Sequence, residues 1–239
     1  LFNIKNQGFY PMKKAIIIMA KVPVASQVKT RLQPFLTPEQ SAEISAAFLQ
    51  DAEHKAKSVE ENLIVAVSPF EKKDRLKDIL QHSNTLIEQT GENIGEKMLN
   101  AFKFAFNQGA DAVVMFGTDS PTFPADYIEQ AFEFLEIETD VVLGKTEDGG
   151  FYLIALRKFD RRIFNGVSWS SAETFEEVWQ NVMDLGLHLR EVPSWYDVDE
   201  SEDFAKLQKE LLTNKNAQKR AEKTFEWMIK WQKSWKPTD

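Results

Sequence analysis

The sequence predicts an α/β fold, a three-layer α/β/α sandwich around a mostly parallel, mixed sheet. Three observations predict it. From Lys14 onward, short β-rich runs alternate with longer helical patterns, the order that places crossovers between parallel strands. The first long helical pattern opens on a capping signal, Thr37-Pro38-Glu39-Gln40. One connection, at Thr146-Glu147-Asp148-Gly149, is too short for a helical crossover, so a strand there must reverse.

Residues 1–11 show no clear period, and Met12 followed by Lys13 and Lys14 reads as a start, so 1–11 are expected to be an extension outside the fold. Strands are predicted over 14–20, 63–68, 85–89 and 112–116. In the first helix Thr37 caps, Pro38 fits the first helical position and Gln40 reaches back, while Ile44, Phe48 and Leu49 supply the apolar stripe. Ser68-Pro69-Phe70-Glu71 repeats that device and predicts a second helix start. Helices over 94–107 and 124–135 give four βα units in series. Residues 140–145 and the short turn lead to a strand over 151–156, which mixes the sheet. A helix over 172–183, a strand over 187–192 and a helix from Ser201 complete a domain of residues 12–212. Beyond it, Trp227, Trp231 and Trp235 share one helix face. Residues 213–239 are therefore expected to be a C-terminal helical appendage that packs on its own domain or, alternatively, pairs two chains in a homodimer.

Composition narrows the function classes. With 239 residues, 43% of them hydrophobic, the chain can bury a substantial core. A net charge of -8 repels duplex nucleic acid and anionic membranes, so neither is an expected partner. No cysteine is present and His54, His82 and His188 are far apart, which argues against a zinc centre and for a reducing cytoplasm. The apolar run 15–20 is too short to span a bilayer or to form a signal-peptide core.

Candidate site residues cluster at predicted strand ends. Asp119 lies where the apolar run Val113 to Phe116 stops, just before Pro121. In an open α/β sheet, ligands collect at the carboxyl ends of strands, and a carboxylate there is an oxygen ligand for Mg2+ or Mn2+; an Asp that merely caps the next turn has the same placement. Six of the ten glycines, Gly91, Gly95, Gly117, Gly144, Gly149 and Gly150, fall in three regions read as loops after strands, and these carry Gln89, Asp119 and Asp148. Glycine serves ordinary turns as well as close ligand approach. Val28 precedes Lys29-Thr30 where a Walker loop needs glycine, so phosphate recognition would rest on Lys21, Lys29 and Arg31. Asp197-Val198-Asp199 precedes the Ser201 helix; Asp199 either supports its cap or converges with Asp119, and two such carboxylates repel unless a cation lies between them.

With these segments in order, the chain resembles a bacterial family of GT-A-like nucleotide-diphospho-sugar transferases, provisionally assigned as glycosyltransferases. The resemblance spans residues 14–204 and rests on Ala-Lys-Val-Pro with Val-Lys-Thr-Arg-Leu (20–32), Gln-Thr-Gly-Glu-Asn-Ile-Gly-Glu-Lys-Met (89–98), Gly-Thr-Asp-Ser-Pro (117–121), Glu-Asp-Gly-Gly-Phe-Tyr-Leu-Ile (147–154), Trp169-Ser170 and Asp-Val-Asp (197–199). The wider superfamily includes molybdenum-cofactor and phospholactate nucleotidyltransferases, which bind a nucleotide across the amino-terminal half of the sheet. The resemblance implies that Asp119 and Asp199 hold Mg2+ or Mn2+. It implies that Lys21, Lys29 and Arg31 contact donor phosphates and that Gln89, Gly91 and Gly95 lie near the base. Asp148 is implied on the acceptor side, as the group that orients or deprotonates a hydroxyl. Where the family usually has Pro-Gly, this chain has Ala25-Ser26, so a positive backbone angle there would fall on Ser26 at a cost.

The expected function is a metal-dependent transferase acting on a nucleotide-sugar donor and a small-molecule acceptor. One alternative is a nucleotidyltransferase that joins a nucleoside monophosphate to a small phosphorylated acceptor; another is a non-catalytic nucleotide-binding module. Both reactions place negative charge on departing phosphate oxygens, which a metal between two aspartates offsets. A triphosphate donor needs more cations, for which Lys97 is a further candidate.

Overall fold

A computed structural model describes residues 11–234 except Pro34 and Ser83. Residues 1–10 of the expected extension and Trp235 of the tryptophan stripe therefore lie outside the described residues.

Among the described residues, seven strands form one sheet. They are β1 Lys14–Lys21, β2 Leu63–Ser68, β3 Thr85–Glu88, β4 Ala112–Gly117, β5 Val141–Thr146, β6 Phe151–Leu156 and β7 Leu189–Trp195, in the order β3-β2-β1-β4-β6-β5-β7. All neighbouring pairs are parallel except those of β6, which runs antiparallel to β4 and β5. The short turn after β5 thus makes a hairpin, as its length requires.

Among the described residues, seven α-helices accompany the sheet: α1 Pro38–Val59, α2 Ile94–Asn107, α3 Asp126–Glu136, α4 Thr174–Asp184, α5 Ser201–Thr213, α6 Lys215–Arg220 and α7 Glu222–Ser234. Alternation along the strands divides the core. Ile16, Ile18, Val65, Val114 and Phe116 pack under α1 and α3, whereas Ile17, Ala66, Val113, Met115 and Ile154 pack under α2 and α4. The strands therefore present apolar side chains on both faces, as central parallel strands must. The Thr37 capping box forms as its spacing predicts: Gln40 N–H donates to Thr37 Oγ1 at 3.2 Å and Thr37 N–H donates to Gln40 Oε1 at 2.9 Å.

The second expected helix start is corrected. Ser68 belongs to β2, where its carbonyl accepts from Val22 N–H at 2.8 Å, and residues Phe70–Asp78 form 3-10 turns rather than an α-helix. That stretch, Phe-Glu-Lys-Lys-Asp-Arg-Leu-Lys-Asp, is too polar to bury a helical face; only Leu76 in it is buried. The second βα unit therefore lacks its α-helix. β7 starts two residues later than expected because Leu187 N–H still donates to Val182 of α4. It runs on through Pro193, which an edge strand tolerates.

Residues 214–233 pack on the α5 and α1 side through a third apolar cluster. Trp231 is 8% exposed and meets Phe204 edge-on at 5.6 Å, near Ile44 and Phe48 of α1. Trp227 stacks on Trp231 at 6.0 Å, and its indole N–H donates to Glu43 at 3.0 Å. Beneath them Asp51 of α1, 2% exposed, accepts from the backbone N–H of Lys223 and Thr224 and from the Thr224 hydroxyl.

Candidate active site

The sheet order fixes where a site belongs. The chain leaves β1 toward β2 and β3 on one side, then returns to β4 on the other, so the carboxyl ends of β1 and β4 form a switch point. A cleft of about 690 Å3 lies there, lined by Lys21 at the end of β1, Asp119 two residues past β4, Gln89, Asp148, Asp197 and Asp199, among others.

Backbone contacts bring the two distant acidic segments together. Val198 N–H donates to the Asp119 carbonyl at 2.8 Å, and Val198 is fully buried, so residues 197–199 are fastened beside the end of β4. Trp195 Nε1–H donates to Thr122 at 3.2 Å, and Thr122 and Tyr196 both donate to Glu210 of α5, at 2.8 and 2.5 Å. The α5 start is capped by Glu200 with Asp203, whose carboxylate accepts from the N–H of Asp199 and Glu200. The Asp199 side chain is thereby free of capping work, which decides between its two readings.

Both aspartates point at one cation, Lys29. Its ammonium lies 2.5 Å from Asp119 Oδ1 and 2.9 Å from Asp199 Oδ1, and it donates to the Val198 carbonyl at 2.8 Å. The Lys29 side chain is 7% exposed, against 48% for Asp119 and 44% for Asp199. Burial pushes its pKa down, but the two carboxylates outweigh burial and raise it. Burial likewise pushes Asp199 up, yet Lys29, Arg31 and Lys21 hold it below the usual carboxylate range.

The loop delivering Lys29 is wound through left-handed backbone. Ser26 has φ 64° and Lys29 φ 46°, a conformation that side-chain-bearing residues adopt at a cost. Ser26 meets the condition expected where Pro-Gly is replaced. Buried Val28 and Leu32 anchor the two sides of the turn.

The structure therefore relocates Lys29 from the expected phosphate contact to the position between the aspartates. Lys21 and Arg31 remain as cations lining the cleft, Arg31 exposed and 3.8 Å from Glu200. Lys97 does not line it. Gln89 does, and its amide Nε2 donates to the carbonyls of Ala20 and Ala66, tying the ends of β1 and β2.

Gly91 and Gly95 do not line the cleft. Gly95 is the second residue of α2, Gly117 ends β4 and Gly144 lies within β5, so the reading of six glycines as loop residues holds for Gly91, Gly149 and Gly150 alone. Gly95 and Gly144 serve packing: an added Cβ would stand 2.1 Å from the Trp169 ring and 2.7 Å from the Tyr152 ring, respectively. Asp148 lines the cleft on the β5–β6 hairpin, where its Oδ1 accepts from Thr146 Oγ1 at 2.5 Å and Gly150 N–H at 3.1 Å. Its neighbour Glu147 is paired with Lys206 at 2.7 Å.

Sequence reasoning gave no role to Asp197 or Ser120. Asp197 accepts a short hydrogen bond from the Ser120 hydroxyl. Burial, reinforced by Asp119, Asp199 and Asp148, pushes its pKa up to about 7. The Asp-Val-Asp spacing placed the residue, but its burial depends on the fold.

Among the described residues no set of three or more His, Cys, Asp or Glu side chains is gathered so as to hold a metal ion. The donor set nevertheless fits a hard divalent cation. Asp119 and Asp199 converge from two strand ends, and each keeps nearly half of its side chain exposed in the cleft as an oxygen donor. Mg2+ is commonly held by one or two carboxylates completed by substrate phosphate and water.

Comparison with known proteins supplies the family and the fold. The chain belongs to the family described as "uncharacterized protein conserved in bacteria (DUF2064)", whose sequence profile matches residues 51–171. Its fold is that of the nucleotide-diphospho-sugar transferases. A protein of Desulfovibrio desulfuricans G20, provisionally named a nucleotide-diphospho-sugar transferase, is 26% identical and superposes with a TM-score of 0.85 over 93% of this chain and 96% of its own. A cytidylyltransferase from Leptospira borgpetersenii, 16% identical, shares the fold with a TM-score of 0.56 over 93% of this chain and 96% of its own. Glucosyl-3-phosphoglycerate synthase from Mycobacterium tuberculosis, solved with Mn2+, UDP and glucosyl-3-phosphoglycerate, is 9% identical with a TM-score of 0.52 over 88% of this chain and 80% of its own. No curated protein matches the sequence. The chain is a transferase by fold, and no helix among its described residues is long and apolar enough to cross a membrane.

Proposed function

We propose that the protein is a metal-dependent transferase that moves a sugar from a nucleotide-sugar donor to a hydroxyl of a small acceptor. The supporting observation is the convergence of Asp119 and Asp199 on one cation at the switch-point end of the sheet. In this reading the two aspartates hold Mg2+ or Mn2+, which, when bound, supplies positive charge to the departing diphosphate. Lys21 and Arg31 bind the diphosphate, Arg31 as a fork and Lys21 as a point charge. Lys29 keeps the aspartates in register. Asp148 faces the acceptor and takes its hydroxyl proton as the acceptor oxygen bonds to the anomeric carbon, while the bond from that carbon to the phosphate oxygen breaks and nucleoside diphosphate leaves.

Cation number favours a diphosphate donor over a triphosphate. With Lys29 buried between carboxylates and Lys97 outside the cleft, two lining cations remain for phosphate. The test is incubation with Mn2+ and panels of nucleotide-sugars and nucleoside triphosphates, with products separated chromatographically. Release of nucleoside diphosphate is expected. Pyrophosphate release from a triphosphate would establish nucleotidyl transfer instead. Nucleotide binding without turnover, unaffected by Asp119→Asn, would identify a binding module.

A further inference from the structure

The cleft has two walls of different chemistry. Around Lys29 the lining is ionic. Opposite it are Met19 of β1, Ile94 and Met98 of α2, Phe151 at the start of β6 and Trp169 of the loop before α4. Ile94 keeps 37% of its surface exposed, and apolar surface presented to water inside a concave site is characteristic of ligand contact.

Trp169 is held as a rigid platform. It stacks on Phe164 at 5.9 Å with planes 25° apart and meets Phe151 edge-on at 6.5 Å. The indole occupies the space that any side chain at position 95 would need, so Gly95 is what seats it. The next residue, Ser170, also lines the cleft and has φ 63°. The same loop receives the Asp148 turn: a Cβ on Gly149 would stand 2.1 Å from the Ala172 carbonyl oxygen, and Phe175 N–H donates to the Gly149 carbonyl at 3.0 Å. Two glycine contacts thus fasten the indole and the carboxylate to one frame.

Charge selects against an anionic occupant of this wall. The cations lining the cleft, Lys21, Lys29 and Arg31, all act on Asp199, whereas the charged group on the Trp169 frame is Asp148. A phosphorylated molecule placed there would meet a carboxylate.

We infer that the acceptor is a small molecule with a flat apolar ring and a free hydroxyl, the ring lying on Trp169 beside Ile94 and the hydroxyl reaching Asp148. This rests on the transferase reading above and narrows its acceptor class. Offset ring stacking and burial of the apolar edge supply the affinity.

The test uses calorimetry on the full chain with Mn2+ and a saturating nucleoside diphosphate, whichever of UDP, GDP, ADP and CDP binds most tightly. The probes are 4-methylumbelliferone, a flat hydroxylated ring, and glucose 6-phosphate. Wild-type protein should bind 4-methylumbelliferone at least roughly tenfold more tightly than glucose 6-phosphate. Trp169→Ala and Gly95→Ala should each weaken the ring probe by roughly tenfold, and Trp169→Phe by no more than about threefold, with nucleotide affinity unchanged throughout. Preference for glucose 6-phosphate would overturn the inference, as would undiminished ring binding in Trp169→Ala. Loss of nucleotide affinity in Trp169→Ala with ring binding intact would also overturn it, by placing the indole in the nucleotide site. Wild-type protein that binds none of the four nucleotides would defeat the transferase reading itself, a result separate from these.

Discussion

Two buried lysines pack along α1, Lys29 over the Phe48 ring and Lys55 two turns further on, and behave in opposite ways. Lys29 sits at the carboxyl edge of the sheet between two aspartates, and its pKa is raised despite burial. Lys55, on α1 below the Asp119 loop, donates to the Pro121 carbonyl at 3.0 Å and lies 3.6 Å from the centre of the Phe123 ring. Burial pushes Lys55 down to about 7, with only Asp51 to oppose it and Arg220 adding to the fall. Desolvation is similar at both sites; the number of carboxylates differs. In the proposed reading the paired carboxylates around Lys29 serve to hold positive charge, whereas the Lys55 region joins α1, the Asp119 loop and α7.

Substitutions should separate the two regions cleanly. The largest effect is expected at the first. Asp119→Asn should lower turnover by roughly a thousandfold, because the charge that steadies the cation is lost, while the metal-free melting temperature falls only slightly, because Asp199 and the Val198 carbonyl still hold Lys29. A large fall in that temperature would merge the two regions into one structural network.

At the second region the expected loss is stability. Asp51→Ala leaves three donors without their acceptor and Lys55 without its opposing charge, costing about 3 kcal/mol, or roughly 6–12 °C in melting temperature for a chain of this size. Donor affinity should not change, and calorimetry with the same donor checks this.

The sign of the Lys55 shift gives a smaller effect. Its folded pKa is below its unfolded value, so between the two the unfolded chain holds a proton that the folded chain lacks, and stability rises with pH. Urea midpoints should climb from pH 7 toward the ordinary lysine range, and Lys55→Met should remove that part of the slope. The smallest effect is at Arg31, which is exposed and loosely paired with Glu200. Arg31→Ala should weaken donor binding by roughly fivefold, less at high salt.

The fold was legible in the sequence where local signals agreed. Thr37 through Gln40 marked a helix start that forms as read, and the 146–149 turn was too short for anything but a reversal. Ser68-Pro69 carried similar signals and misled, because the polar residues after it have no face to bury. In the site, strand-end placement located Asp119, Asp148 and Asp199 in one cleft. Side-chain direction was hidden: whether Lys29 turns outward to phosphate or inward to the aspartates depends on left-handed backbone at Ser26 and Lys29. Gly95 looked like a ligand-facing glycine, yet it makes room for a tryptophan 74 positions away in sequence, a contact that only the assembled fold defines.

The most direct test of the central claim is calorimetric titration of Mn2+ into the full chain in the presence of the nucleoside diphosphate it binds. Wild-type protein should take up Mn2+, and Asp119→Asn and Asp199→Asn should each abolish that binding while remaining folded. Mn2+ binding of wild-type strength in both single variants would contradict the assignment of these two aspartates.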